Sequence, residues 1–308
     1  MGTPQFAVPS LQALLAADYE IKGVFTQPDR PVGRGQQVAF SPIKQVALEH
    51  HLPIFQPQRL RGDVASLEAL SALSPDLIVV VAYGQILPEA VLSLPSHGCI
   101  NLHGSLLPQY RGAAPIQWAI LNGETETGLT TMLMEKGLDT GPMLLKVKTA
   151  IDPRETSEAL SARLSDLGGG LLVETLSRWL EGDLTPIPQD STLASYAPML
   201  KKEMAPLDWS LSAQTLVNRV RGLYPWPGTT TALEGEGLKV LEASLSDVEP
   251  HGEAPGTLLR LGSQGWDVAT GEGALRIEKV QLAGKKPQEA AVQARGWRAL
   301  TVGVRFDA

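Results

Sequence analysis

The chain of 308 residues is long enough to bury two separate cores, and its 43% hydrophobic and 19% charged residues are ordinary for a globular protein. A net charge of −7 argues against indiscriminate binding to nucleic acid, and a single cysteine, Cys99, excludes an internal disulfide framework. No apolar run approaches the roughly 18 residues that span a bilayer, and no signal peptide is read, so the expectation is a soluble, cytoplasmic protein with no need of an oligomer.

The opening M-G-T-P-Q-F-A-V-P is a glycine-containing turn leading into a helix over 10–17. Turns of this kind normally follow a strand in doubly wound folds. Residues 21–25 read as a strand. The stretch T-Q-P-D-R-P-V-G-R-G-Q-Q has no hydrophobic period and reads as a loop. Ser41-Pro42 supplies a helix cap and a proline at the first helical position, opening a helix to about residue 50. A short strand at 54–55 and an amphipathic helix over 63–73 follow. The β-branched run D-L-I-V-V-V-A-Y at 76–83 has the pattern of a strand buried on both faces. A short helix covers 88–94.

Residues 99–117 read C-I-N-L-H-G-S-L-L-P-Q-Y-R-G-A-A-P-I-Q. Cys99–His103 alternates, with Cys99, Asn101 and His103 on one face and Ile100 and Leu102 on the other. Cys99 reads as a small buried hydrophobe. A strand that breaks at Gly104 presents an amide and an imidazole at its carboxyl end, where open α/β sheets bind ligands. Taken alone, N-x-H reads as a pair of satisfied polar side chains. The loop behind it, rich in Gly, Pro and Ala and leading to a helix carrying Trp118, changes that reading, as does G-L-D-T-G at 137–141, a carboxylate between two glycines.

Further strands are read at 128–134 and 143–151, then a long helical pattern over 156–180 interrupted by Gly168-Gly169-Gly170. Strands alternating with helices predict an α/β domain with a mainly parallel sheet. Residues 184–206 contain four prolines and a Lys201-Lys202 pair, the composition of a linker. A helix is expected over 205–210 and 212–221, then the proline-rigid turn L-Y-P-W-P-G. Short strands at 228–233, 238–243, 256–261, 266–269, 274–282 and 300–304 predict a small β-barrel or sandwich. Basic residues gather at Arg30, Arg34 and Lys44, and again over 276–298 with Lys285 and Lys286, where they could contact phosphates or simply form solvated faces. There is no internal repeat, phosphate-binding Gly-rich loop or metal-ligand cluster.

The ordered set N-L-H-G-S-L-L-P, R-G-A-A-P-I-Q and G-L-D-T-G closely resembles the formyltransferases that use 10-formyltetrahydrofolate, and within them the group acting on methionyl initiator tRNA. The resemblance implies a Rossmann-like domain over 1–185, a linker over 186–204 and an OB-like β-barrel over 205–308 that helps to hold tRNA. It implies Asn101, His103 and Asp139 as the catalytic trio, and Ser105, Leu106, Leu107 and Pro108 as the folate-contacting segment. The loop with Arg30, Arg34 and Lys44 corresponds to the one inserted against the tRNA acceptor stem, and Lys285 and Lys286 suit the barrel's part in tRNA binding. Gln36 and Gln37 stand where many relatives carry lysines, which weakens the electrostatic grip. A central strand precedes G-T-P in the family and is missing here. The expectation is therefore that the start was assigned to an internal methionine, or that the gene is truncated, and that two ladder edges are exposed.

Formyl transfer to an amine needs a neutral nucleophile, donors for a developing oxyanion and a proton for the departing nitrogen. An α-amino group, with a pKa of about 7.7–8.0, is partly neutral without a strong base. Asn101 and His103 are suited to the oxyanion, and Asp139 to raising the basicity of His103 or relaying a proton. Glycinamide ribonucleotide formyltransferases share the N-x-H…D core but have a single domain. Amino-sugar formyltransferases share the core and a carboxy-terminal barrel, and a folate- or tRNA-binding protein without catalysis is a further alternative.

Overall fold

The computed structural model describes residues 1–32 and 37–307, and the chain forms two compact units. The first comprises Met1–Gly112, Thr127–Thr149 and Ser161–Tyr196; the second comprises Ala113–Glu126, Ala150–Leu160 and Ala197–Ala308.

The first unit opens with a 3-10 turn and α1 (Val8–Ala16). Next come β1 (Val24–Phe25), β2 (Arg30–Val32), β3 (Gln37–Ala39), α2 (Pro42–Glu49) and β4 (Ile54–Phe55), with β4 parallel to β1. β2 and β3 pair antiparallel, from Arg30 opposite Ala39 to Val32 opposite Gln37. The sequence read this stretch as a loop. A two-stranded ribbon can seat Pro31 because its missing N–H need not join a ladder on the outer side, so composition alone hides it. Ser41 caps α2 by accepting from Lys44 N at 3.2 Å, as the sequence predicts.

α3 (Val64–Leu73), β5 (Ile78–Val80), α4 (Glu89–Leu92) and β6 (Cys99–His103) follow, then the two-residue β7 (Arg111–Gly112). α5 (Pro115–Leu121) belongs to the second unit, and β8 (Glu126–Leu133), β9 (Met143–Ala150) and α6 (Ser157–Leu180) complete the α/β region. The sheet runs β5-β6-β8-β9, with β6 parallel to β5 and antiparallel to β8. All five residues of β6 are buried. Ile100 packs with Leu14 of α1 and Leu172 and Leu176 of α6, whereas Cys99 packs with Leu70 of α3 and Val91 of α4. Helices thus cover both faces, and the alternation read from the sequence holds.

The three glycines of α6 do not interrupt it. A Cβ at Gly168 would lie 2.6 Å from Leu102 Cδ2, and one at Gly169 would lie 3.0 Å from Pro9 O. Gly168 and Gly169 thus bring α6 close to β6 and to the start of α1 while the helix stays continuous.

Met1 and Gly2 lie between β1 and β5. Gly2 N donates to Phe25 O at 3.0 Å, Val81 N to Met1 O at 2.9 Å, and the terminal amine to Val79 O at 2.7 Å. Beside them is a cleft of about 280 Å³, lined by residues including Leu11, Leu14, Tyr19, Val24, Val79 and Leu176. Burial lowers the Met1 amine from its ordinary value of 8.0 to about 5, opposed weakly by the Cys99 thiol; burial likewise pushes that thiol up to about 12.

In the second unit, α7 (Ala213–Gly222) precedes the antiparallel strands β11 (Thr229–Leu233), β12 (Glu236–Leu245), β13 (Leu258–Gly262), β14 (Gly265–Ala269) and β15 (Ala274–Leu282); the short β10 (Tyr196–Ala197) lies upstream. Their order is β11-β12-β15-β14-β13. Both outer strands are bridged by one terminal segment, Ala232 to Asp307 and Thr257 to Arg305. That segment closes the sheet around Val240, Trp266, Leu275, Ile277 and Phe306, with Leu216 and Val220 of α7 packed against the same core.

Two sequence expectations change here. Residues 205–210 are not helical: Pro206 bridges Thr230, Asp208 Oδ1 accepts from Ser210 N at 3.0 Å, and the helix starts only after Ser212, which caps it. Residues 301–304 form a turn, closed by Val304 N donating to Thr301 O at 3.1 Å, with Gly303 at φ +93°; Leu258 N donates to Val304 O and Gly303 N to Leu258 O, and the bridges follow at Arg305 and Asp307. Buried Arg221 fixes the 150–160 segment to α7, donating to Asp152 O and Glu155 O, both at 3.1 Å, and to Asn218 Oδ1 at 2.8 Å.

One stability measurement follows. A Cβ at Gly128 would lie 2.0 Å from Val147 O, so Gly128→Ala is expected to cost about 1–3 kcal/mol in denaturant unfolding as β8 and β9 are forced apart.

Candidate active site

β6 ends at His103 with Asn101 two residues earlier on the same face, and both side chains are more than nine-tenths buried. His103 Nε2 lies 2.9 Å from Tyr110 O. A carbonyl only accepts, so Nε2 carries the hydrogen, and the neutral ring keeps its lone pair on Nδ1. Nδ1 lies 3.7 Å from Asp139 Oδ2. The structure therefore brings together His103 and Asp139, 36 positions apart, by joining the end of β6 to the loop between β8 and β9.

Asp139 has φ +52°, between Gly137 at φ +150° and Gly141. Its Oδ2 accepts from Gly112 N at 2.8 Å. Gln189 supports the same loop: its Nε2 donates to Asp139 O at 2.8 Å and to Gly141 O at 2.7 Å. Its Oε1 accepts from Arg111 Nε at 3.0 Å and Nη2 at 2.8 Å, and Arg111 is only 3% exposed. In the sequence Arg111 stands only as part of R-G-A-A-P-I-Q and Gln189 falls in the expected linker; no local pattern marks either as buried or joined to Asp139.

The Ser105–Pro108 segment is held from beneath. Thr130 Oγ1 donates to Ser105 O at 2.7 Å and accepts from Leu107 N at 3.1 Å, Ser105 Oγ donates to Gln109 O at 2.6 Å, and Lys146 Nζ donates to Leu107 O. Partial burial, with the neighbouring Lys148 charge, lowers the Lys146 pKa. Leu107 is fully buried against Met132 and Met143, while Leu106 and Pro108 are half-buried. Leu107 thus supports the segment from the core, and Leu106 and Pro108 keep surface for a ligand.

The basic residues are distributed otherwise. Arg34 lies outside the described residues. Arg30 is exposed and donates to Gln27 Oε1 at 2.9 Å. Lys44 is paired with Asp29, donates to Gln56 Oε1 at 2.8 Å and lies 4.2 Å from the centre of the Phe40 ring. Hydrogen bonds from Lys44 and Gln56 hold the Asp29 carboxyl below its ordinary value. In the second unit, Arg276 is committed to Asp267 and Asp247, and Lys279 to Glu242, but Lys285 and Lys286 are exposed beside a turn.

The family model for formyl transferase matches residues 1–176, and that for the formyl transferase C-terminal domain matches residues 199–298. The chain is 51% identical over 315 residues to the methionyl-tRNA formyltransferase of Synechococcus sp. (strain JA-2-3B'a(2-13)), covering 99% of this chain and 97% of that one. It is 50% identical over 291 residues to the methionyl-tRNA formyltransferase of Trichlorobacter lovleyi, covering 94% and 91%. Among solved structures, it resembles WlaRD, a sugar 3N-formyl transferase determined in the presence of dTDP and 5-N-formyl-THF. That match has a TM-score of 0.67 at 17% identity and covers 92% of this chain and 97% of that one. At this identity the likeness speaks for the fold alone. With both of its parts matched and half its residues shared with such relatives over nearly its full length, the chain belongs to the formyl transferase family.

Proposed function

We propose that this protein transfers the formyl group of 10-formyltetrahydrofolate to the free α-amino group of methionyl initiator tRNA. The observation that carries this reading is the half-identity to methionyl-tRNA formyltransferases along nearly the whole chain. The amino-sugar reading rests on a fold shared at 17% identity. A binding protein without catalysis would have no use for a buried imidazole facing a carboxylate.

The amine lone pair attacks the formyl carbon, and negative charge develops on the formyl oxygen. The Asn101 side-chain amide donates to that oxygen, and His103 joins it through Nδ1 once that nitrogen has taken up the proton leaving the amine, since Nε2 is committed to Tyr110 O. The bond from the formyl carbon to the folate nitrogen then breaks. The amine loses one proton and the departing nitrogen gains one, a relay suited to Asp139 and His103 across their 3.7 Å separation. Products are N-formylmethionyl-tRNA and tetrahydrofolate.

The pterin end of the donor fits against Leu106 and Pro108, with the rigid backbone of Ser105 to Pro108 offering hydrogen bonds. The tRNA would meet Arg30, Arg34, Lys44, Lys285 and Lys286; Lys44 would first have to release Asp29. A catalytic domain over 1–185, a linker over 186–204 and a tRNA-holding barrel over 205–308 remain the proposed division of labour, in a cytoplasmic monomer.

Incubation with 10-formyltetrahydrofolate and methionyl initiator tRNA, with elongator methionyl-tRNA as control, should give formylation of the initiator species. Formylation of a nucleotide-linked amino sugar instead would overturn the tRNA assignment. His103→Ala should lower kcat by about 10²–10³, the scale of losing one oxyanion donor, with little change in the KM for the formyl donor. Near-normal turnover would remove His103 from the mechanism.

A further inference from the structure

Asp139 occupies a backbone conformation that an aspartate adopts at some cost, and its loop needs an external brace. Gln189 supplies it. Both hydrogens of its amide nitrogen go to the loop, one to the carbonyl of Asp139 itself and one to Gly141, while its oxygen accepts a forked pair from Arg111. Gln189 therefore sets where the loop stands relative to Arg111.

Arg111 belongs to the segment that holds the other half of the pair. Tyr110 O takes the hydrogen of His103 Nε2, and Gly112 N binds Asp139 Oδ2. The same segment is fastened downstream, where Tyr110 N donates to Ser195 Oγ and Arg111 N to Ser195 O, at 2.9 and 2.8 Å. Three consecutive residues thus touch the imidazole, the brace and the carboxylate. The 189–195 stretch grips them from one side.

We infer that Gln189 is a positioning residue for the formyl-transfer reaction, acting through Asp139 and held in place by Arg111 to set the separation between Asp139 and His103. The inference rests on the reading of those two residues as the reacting pair. Without the brace, the loop would keep the Gly112 contact to the Asp139 side chain and the bond from Leu133 N to Pro142 O at its base, neither of which holds the Asp139 backbone.

Gln189→Glu separates the two functions of the side chain. A carboxylate still satisfies Arg111, so the buried guanidinium keeps a partner, but it offers acceptors to the carbonyls of Asp139 and Gly141 and repels the loop. In formyl transfer from 10-formyltetrahydrofolate to methionyl initiator tRNA, Gln189→Glu should lower kcat 10- to 100-fold. The KM for the formyl donor should change less than threefold and Tm should stay within a few degrees. Made together with Asp139→Asn, it should add less than threefold to the loss from Asp139→Asn alone, because both act through one carboxylate. A Gln189→Glu enzyme with kcat near the parent value, or one whose loss multiplies fully with that of Asp139→Asn, overturns the inference. Near-normal turnover by Asp139→Asn itself would instead remove Asp139 from the chemistry, a failure of the underlying reading that this variant alone detects. If Gln189→Glu lowers Tm sharply, Gln189→Asn, which keeps the amide but withdraws it by one methylene, is put through the same double-variant cycle and judged by the same criterion.

Discussion

The hydrogen bond from His103 Nε2 to Tyr110 O is the constraint around which the site is organised. It fixes the tautomer and orientation of the ring, leaving one nitrogen for chemistry. It also draws the chain back on itself after β6: residues 104–109 arch away and Tyr110 returns at φ +59°. Once Tyr110 is there, Arg111 and Gly112 fall where they can hold the loop bearing Asp139. The Ser105–Pro108 segment, proposed to meet the formyl donor, lies within that same arch and is anchored by Thr130 on the neighbouring strand, which pairs directly with His103. Imidazole, carboxylate and ligand-facing loop are thus parts of one hydrogen-bonded unit.

Charge is handled in a comparably local way. An acidic chain is to meet a polyanion, and several of its cations are already neutralised by neighbours: Lys44 by Asp29, Arg276 by Asp267 and Asp247, Lys279 by Glu242. The partly exposed Lys279–Glu242 pair contributes little to stability, whereas Asp267 is buried and would be left as an unpaired charge without its arginines. In the proposed function the effect of these pairs is on recognition, since a phosphate would have to displace a carboxylate to reach the cation. Binding then depends on shape as well as sign, unlike the exposed Lys285 and Lys286.

The parts of the site legible in the sequence are those carried by a short period. Asn101 and His103 share a face because strand residues alternate, and β6 was recognisable from its flanking apolar run. Asp139 was legible through its glycines, which permit its left-handed backbone. Gln189 was not, because it is a lone amide in a proline-rich stretch, joined to Asp139 and Arg111 across 50 and 78 positions. The pairing of Arg30–Val32 with Gln37–Ala39 was hidden for the related reason that backbone pairing leaves no trace in composition. The Gly168–Gly170 run looked like a break, yet Gly168 serves the approach of α6 to β6 and Gly169 its approach to the start of α1. Local pattern reports burial and turns; it is silent on which distant backbone a side chain will reach.

The bridges from Arg305 and Asp307 to opposite edges of the β11–β15 sheet have a consequence for biosynthesis. Thr231 and Asp307 meet across 76 positions, so every strand of the sheet leaves the ribosome before the segment that joins its edges. Until then the growing chain presents two open strand margins, the kind of surface that pairs with neighbours. The interval between synthesis of β11 and of residue 307 is thus the period in which this half of the protein most needs dilution or a chaperone.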